Sequence, residues 1–319
     1  MVQDLLNRPD EALKAYDVLV AGEINPDLIL SGAVEPAFGQ VEKLVEQANL
    51  TVGSSSAIFA CGAARLGLRT AFIGVCGDDI FGRFMLEEMQ KRGVDVQHVI
   101  CVPGGATGLS VILNRGVDRA ILTHPGLISA LKAEDISDAL LSQTRHLHVA
   151  SYFLQTALQS GLPGLFERAH RLGASTSLDP NYDPSEAWLG FDKLLPLTDI
   201  FLPNETEACS LAHKSNVEQA AAHLAGKVST LVVKMGAAGA LSVRAGQMLR
   251  AGSIPVQLVD TVGAGDSFDA GFIYGFLQNW PPEKTLKLAT ICGALSTQSA
   301  GGTQAQPTLA EVQRQAGWV

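Results

Sequence analysis

Residues 17–21 read Asp-Val-Leu-Val-Ala, an apolar run too short for a helix and closed by a turn-rich sequence, which predicts a strand buried on both faces. Runs of the same kind at 70–75, 146–150, 175–178, 200–202 and 230–234 predict further strands. Between them the pattern shifts to helical spacing. Helices are predicted from the serine-rich start at 52–67, from Gly77-Asp-Asp-Ile-Phe-Gly through about residue 92, and near 134–142, 155–172 and 185–195. Two more, near 282–298 and 308–316, close the chain. Strands alternating with helices in this way predict a parallel sheet with helices on both faces.

Two segments break the rhythm. Residues 28–52 hold strand-like pieces without a helical pattern, and 94–123 return to strand-like runs at 96–102, 109–113 and 120–123. Together they predict one small sheet apart from the main body, a lid formed by about 28–52 and 95–124. A short amphipathic helix is expected over 3–15. With no internal repeat and no low-complexity linker, 1–319 reads as a single α/β domain plus lid.

The stretch Asp260-Thr-Val-Gly-Ala-Gly-Asp266 follows an apolar, strand-like run at 254–259 and leads into Phe268, Phe272 and Phe276 at helical spacing. A glycine turn entering a helix offers unpaired N–H groups and the positive end of the helix dipole to an anion. Asp266 is out of place at an anion site unless it takes a proton from the nucleophile that attacks a phosphate. On local evidence alone the favoured reading is that Asp266 or Ser267 is an N-cap and the glycines only a turn. The pattern G-x-x-x-x-G-K-[ST] is absent, and Phe268 stands where G-x-G-x-x-G would need its last glycine.

Other polar groups sit where predicted strands end, the usual place for ligands in an open α/β sheet. Gly22-Glu-Ile-Asn-Pro-Asp27 follows the first strand and Asp179-Pro-Asn181 a later one. Asn204, with Glu205 and Glu207, suits a helix cap and an acidic first turn. Lys234, ending a strand before Gly236, can reach a phosphate or remain solvated. His146 and His148 share one face of their strand, and without a third ligand nearby they read as packing or hydrogen-bonding groups rather than a metal pair.

A formal net charge of -9 and the lack of any basic run argue against nucleic acid or an anionic membrane as a partner. No apolar run approaches the roughly 18 residues of a membrane span, and the N-terminus lacks the features of a secretory signal. Five scattered cysteines without a C-x-x-C pair point to a reducing, cytoplasmic setting and to neither a disulfide framework nor a zinc site.

In combination, Gly22 to Asp27, Gly53 to Gly67, Gly77-Asp-Asp-x-Phe-Gly82, Thr107-Gly108, Asp179-Pro-Asn181, Asn204-Glu-x-Glu207, Val233-Lys-Met-Gly236 and Asp260-Thr-x-Gly-Ala-Gly-Asp266 resemble the ribokinase-like, or PfkB, carbohydrate kinases over nearly the whole chain. The resemblance implies a mostly parallel α/β sheet under a small β-sheet lid, and ATP-dependent phosphorylation of a primary hydroxyl. It implies that Asp266 is the base, that Gly263, Ala264 and Gly265 form an anion hole, and that Asp27 binds the sugar beside Gly53 and Ser54. Nucleotide is then expected at Asn204, Lys234, Gly236, Thr261, Gly263 and Gly265. Asn204 and Glu207 are expected to hold Mg2+ through waters, and Asp260 with Val262 a monovalent cation, K+. The lid can also clasp a second copy into a homodimer.

The substrate positions depart from the pattern. Ser54 replaces the second of two glycines, and Ile58 replaces a frequent asparagine. A less polar acceptor, a nucleoside, is therefore the alternative to a free sugar, while an already phosphorylated sugar is disfavoured because the lysine- and asparagine-rich segment of the phosphosugar kinases is missing. A non-catalytic sensor of sugar or nucleotide on the same scaffold is a third reading, against which Asp266 argues.

Overall fold

The computed structural model describes residues 14–115 and 118–318, so nearly all of the expected helix over 3–15 lies outside the described residues. The chain begins with β1 (Tyr16–Ala21), β2 (Pro26–Ser31), β3 (Gln47–Val52), α1 (Ser55–Leu66), β4 (Thr70–Ile73) and β5 (Val75–Gly77). Next come α2 (Ile80–Lys91), β6 (Ile100–Val102), β7 (Leu109–Arg115), β8 (Asp118–His124), α3 (Asp138–Ser142) and β9 (Thr144–Val149). The middle holds α4 (Thr156–Gln159), α5 (Leu162–Arg171), β10 (Ser175–Leu178), β11 (Ile200–Phe201), α6 (Glu205–Ala212) and α7 (Val217–Ala225). The remainder is β12 (Thr230–Lys234), β13 (Ala240–Arg244), β14 (Gln247–Ala251), α8 (Ala264–Leu277), α9 (Pro282–Ser296) and α10 (Leu309–Ala316).

Eight strands form the main sheet in the order β14-β13-β12-β11-β10-β9-β1-β4. All are parallel except the β12-β13-β14 edge, which turns back on itself. In β1, Leu19 and Ala21 face one core with Phe166 and Phe201, while Val18 and Val20 face another with Phe59 and Phe72. Burial on both sides is why these strands read as unbroken apolar runs. Helices α3 to α7 cover the first face, and α1, α2, α8, α9 and α10 the second.

The small sheet runs β3-β2-β7-β8 and contains both predicted β excursions except residues 96–102. Of those, Ile100–Val102 form β6, which pairs in parallel with β5 and places Cys76 opposite Cys101. The Ile100 N–H reaches the Gly74 carbonyl at 2.9 Å, which draws this strand to the main body rather than to the small sheet.

Two other expectations change, and one hairpin is added. The helix near 185–195 does not form: the Asp183 carboxylate accepts the N–H groups of Ser185 (2.8 Å) and Trp188 (2.7 Å), while Glu186, Trp188 and Gly190 take positive φ. Such side-chain turns compete with helix. The apolar run at 254–259 is not a strand; Pro255 interrupts its donors, and the run lines a cavity instead. The hairpin of β13 and β14 was not anticipated. Among the described residues, no helix is long and apolar enough to cross a membrane.

Candidate active site

The polar groups gather beyond the C-terminal ends of the parallel strands. β1 lies between β4 and β9, so the connection leaving it opens where the strand order reverses, the position at which open α/β sheets leave a crevice. Glu23 and Asp27 enter from β1 and β2, Ser151 follows β9, Asp179 follows β10, Asn204 follows β11, and Lys234 ends β12.

Asp266 lies in the first turn of α8, whose N-cap, Gly263, has φ +72°. A side chain at Gly263 would be strained and would also put its Cβ 2.6 Å from Gly302 Cα and 2.9 Å from Ile58 Cγ2. The Ala264 N–H points to the Thr261 carbonyl at 3.3 Å, whereas those of Gly263 and Gly265 have no hydrogen-bond partner among the described residues. Those two N–H groups are thus the open donors of the turn. Burial holds the Asp266 carboxyl well above the usual carboxylate range; Asp179 and Glu23 add to this, and Lys234 and the Ser55 hydroxyl oppose it.

Lys234 is not a solvated lysine. Its Nζ donates to Asp179 Oδ2 at 2.7 Å and Asp269 Oδ2 at 2.9 Å, both carboxylates being almost wholly buried. Burial alone would discharge it, but Asp179, Asp269 and Glu207 outweigh that and hold it protonated. Asp269 in turn is held well above the carboxylate range by burial, with Lys234 opposing and Asp179 adding to it. One buried cation among several acids cannot keep all of them ionised. The ammonium also sits beside the glycine turn, since a Cβ at Gly265 would be 3.4 Å from Nζ.

Asp27 is 7% exposed, and Gly53 exists to admit it: a Cβ there would be 2.2 Å from Asp27 Oδ1. Burial pushes the Asp27 carboxyl from the ordinary 3.8 up to about 7; Arg119 opposes this, while Asp260 and Glu23 reinforce it. A folded-state value above the unfolded one stabilises the protein below about pH 4, and that contribution is lost as pH rises through about 7. Asp27→Asn, which cannot ionise, is therefore expected to be more stable than wild type at pH 8, by about 4 kcal/mol at most, and no more stable near pH 4. Melting temperatures at the two pH values check this; the same difference at both would show that ionisation of Asp27 is not its source.

Ser54 is tied down rather than open to a ligand. Its hydroxyl accepts the Ala57 N–H at 3.0 Å as the cap of α1 and lies 2.7 Å from the Glu23 carbonyl and 3.0 Å from Glu23 Oε1. Ile58 lies beneath the glycine turn, against Gly263 and Gly302. Its apolar side chain therefore shapes that turn.

Asn204 and Glu207 form a capping box on α6: Asn204 Oδ1 accepts the Glu207 N–H at 2.9 Å, and Glu207 accepts from Asn204 N at 2.8 Å and Nδ2 at 2.7 Å. Burial, with Asp179 adding and Lys234 opposing, pushes the Glu207 carboxyl up to about 7. No cluster of three acidic, histidine or cysteine side chains that could hold a metal occurs among the described residues. This donor set fits an ion that keeps most of its waters, as magnesium does. The Asp260 carboxylate accepts the N–H groups of Val262 (3.0 Å) and Gly301 (2.9 Å), joining the start of the turn to the loop after α9.

A cavity of about 640 Å³ opens beside these groups. Lys234, Gly236, Thr261, Ala264 and Gly265 line its polar end, and Val256, Leu258 and Phe268 are among its apolar walls. Glu23, Ser55, Ser151 and Asp269 were not singled out from the sequence. Only the Gly-Glu pair at the end of the first strand and the second aspartate of α8 hinted at two of them. His146 and His148 hydrogen-bond to Ser175 and Ser177 deep in the sheet, and His148 stacks on Phe59 with ring centroids 3.6 Å apart.

The family model described as pfkB family carbohydrate kinase matches residues 16–309. The chain is 31% identical over 280 residues to a fructokinase of Klebsiella pneumoniae, covering 82% of this chain and 91% of that one. It is 28% identical over 328 residues to a 5-dehydro-2-deoxygluconokinase of Geobacillus thermodenitrificans, covering 96% and 94%. A double-mutant fructokinase of Vibrio cholerae O395, solved with fructose, ADP and potassium ion bound, superposes with TM-score 0.81 at 27% identity, covering 94% of this chain and 98% of that one.

Proposed function

Because the chain belongs to the pfkB family of carbohydrate kinases, we propose that it transfers the γ-phosphoryl group of ATP to a primary hydroxyl of a free, unphosphorylated sugar, with Asp266 as the base. The observation that carries the reading is the buried Asp266 carboxyl in the same helical turn as the open N–H groups of Gly263 and Gly265. Asp266 takes the proton of the hydroxyl, the hydroxyl oxygen bonds to the γ-phosphorus, and the bond from that phosphorus to the bridging oxygen breaks to release ADP. The N–H groups of the Gly263–Gly265 turn face the charge that develops on the transferred group, and Lys234 adds a fixed positive charge beside them.

Asp27, above Gly53, holds acceptor hydroxyls. The 640 Å³ cavity fits the nucleoside part of ATP through its apolar walls, with Gly236 and Thr261 at its polar end. Magnesium, when bound, neutralises phosphate charge; Asn204 and Glu207 would hold it through waters. Asp260 and the Val262 backbone, at the loop they brace, are where a potassium ion would act. The small sheet serves as a lid over the acceptor, and exposed Leu50, Ile121 and Leu122 on it suit a clasp between two copies of the chain.

The test is a panel of free sugars, sugar acids and nucleosides with ATP and magnesium. A sugar or sugar acid is expected to give the highest kcat/KM, with ADP release at least tenfold slower when acceptor is left out, because water is excluded until the lid closes. Fastest turnover with a nucleoside would overturn the substrate class, and acceptor-independent ADP release at the full rate would overturn the lid.

A further inference from the structure

Glu23 is 2% exposed, and among the described residues no lysine or arginine hydrogen-bonds to it. Its carboxylate is satisfied by serines from two elements instead. Oε1 accepts the Ser54 hydroxyl at 3.0 Å, the Ser56 N–H at 3.3 Å and the Ser151 hydroxyl at 2.9 Å; Oε2 accepts the Ser56 hydroxyl at 2.6 Å. A buried carboxylate needs this many donors to remain in place.

Two of the residues it binds are in backbone conformations that side chains rarely take. Ser54 has φ +65° and Ser151 φ +52°, and Asn181, which accepts the Ser151 N–H at 2.8 Å, has φ +54°. Non-glycine residues persist in the left-handed region only where surrounding bonds over-determine them, and such strain collects at functional sites. Here two of them bond to one carboxylate, and the third holds the backbone of one of those two. Beyond Asn181 the chain of contacts returns to the start of α1: its Nδ2 donates to Ser55 Oγ at 2.9 Å, and Ser55 directly follows the Ser54 cap. On the other side, Gly53 precedes Ser54 and packs under Asp27.

We propose that Glu23 is a positioning residue for the phosphoryl acceptor: it fastens the turn at 53–55 to the loops after β9 and β10, so that Asp27, packed over Gly53, keeps the position an acceptor hydroxyl needs. This rests on the kinase reading above. Glu23 lies in the connection between β1 and β2, outside the turn that faces the nucleotide cavity, so its loss acts on the acceptor and leaves nucleotide binding alone.

The experiment is Glu23→Gln in the full chain, which keeps the side-chain size and removes the charge. The expected result is a KM for the acceptor raised at least about tenfold, a lower kcat, and a KM for magnesium-ATP within about twofold of wild type. An unchanged acceptor KM, or both KM values rising together as for general loosening, overturns it. Should Glu23→Gln not fold, Ser151→Gly removes one donor while tolerating the positive φ; a raised acceptor KM with the ATP value unmoved supports the proposal, and an unmoved acceptor KM overturns it. Wild type is assayed first on the acceptor panel. No turnover with any acceptor removes the kinase reading and the role of Glu23 with it, whereas turnover in wild type with an unaltered acceptor KM in the variants removes only the role of Glu23.

Discussion

Asp266→Asn is expected to lower turnover by roughly 10² to 10⁴ while ATP still binds, since the amide keeps the shape of the carboxylate but cannot take the proton. Single-turnover phosphorylation alongside nucleotide binding by calorimetry checks it, and near-normal turnover would end the assignment of Asp266 as base. The environment adds a second signature. The base must be ionised to work, and burial holds Asp266 well above the carboxylate range. Activity should therefore fall on acidification at a higher pH than an exposed aspartate would give, with Asp27, at about 7, contributing to the same limb.

Lys234→Met is expected to be the most destabilising single change in the site. It leaves Asp179 and Asp269 facing each other, with Glu207 and Asp266 close by, without the ammonium that now bonds the first two at 2.7 and 2.9 Å. Removing one partner of a buried ion pair costs about 3–5 kcal/mol, chiefly because the other charge is stranded. At about 2 °C per kcal/mol for a large domain, the melting temperature should fall by roughly 6–10 °C. Adding Asp269→Leu to Lys234→Met should recover at least half of that loss, because apolar packing can replace a buried pair. If the double variant is as unstable as the single one, the lysine stabilises the fold through something other than these carboxylates. Activity would not return with stability, since the fixed charge beside the Gly263–Gly265 turn stays absent.

The two variants differ in what the sequence disclosed about them. Asp266 stands inside a local motif, with its glycines, apolar periodicity and helix entry within a dozen residues, so its place in the first turn of a helix followed directly. Lys234 was legible as the last residue of a strand, but its partners lie 55 and 35 positions away. Nothing at residue 234 distinguishes a lysine reaching for phosphate from one locked between two carboxylates. The same holds for Ser54: the serine-rich start of a helix was readable, although its bond to Glu23 was not.

By itself the sequence determined most strands and helices of the main body, the parallel sheet, the helix cap at Asn204 and the glycine turn that enters α8, because each rests on interactions within a few residues or on burial on both faces. Only the tertiary structure decided that residues 100–102 join β5 rather than the small sheet, and that 185–195 is a set of side-chain turns. It also decided that Ile58 supports the Gly263 turn, that Lys234 is held between Asp179 and Asp269, and that Glu23 gathers three serines. The physical reason is common to all of these. A buried charge or an unpaired strand edge is satisfied by whichever donor the packed strands bring within about 3 Å, and that choice depends on their crossing order and not on the neighbouring residues in the chain.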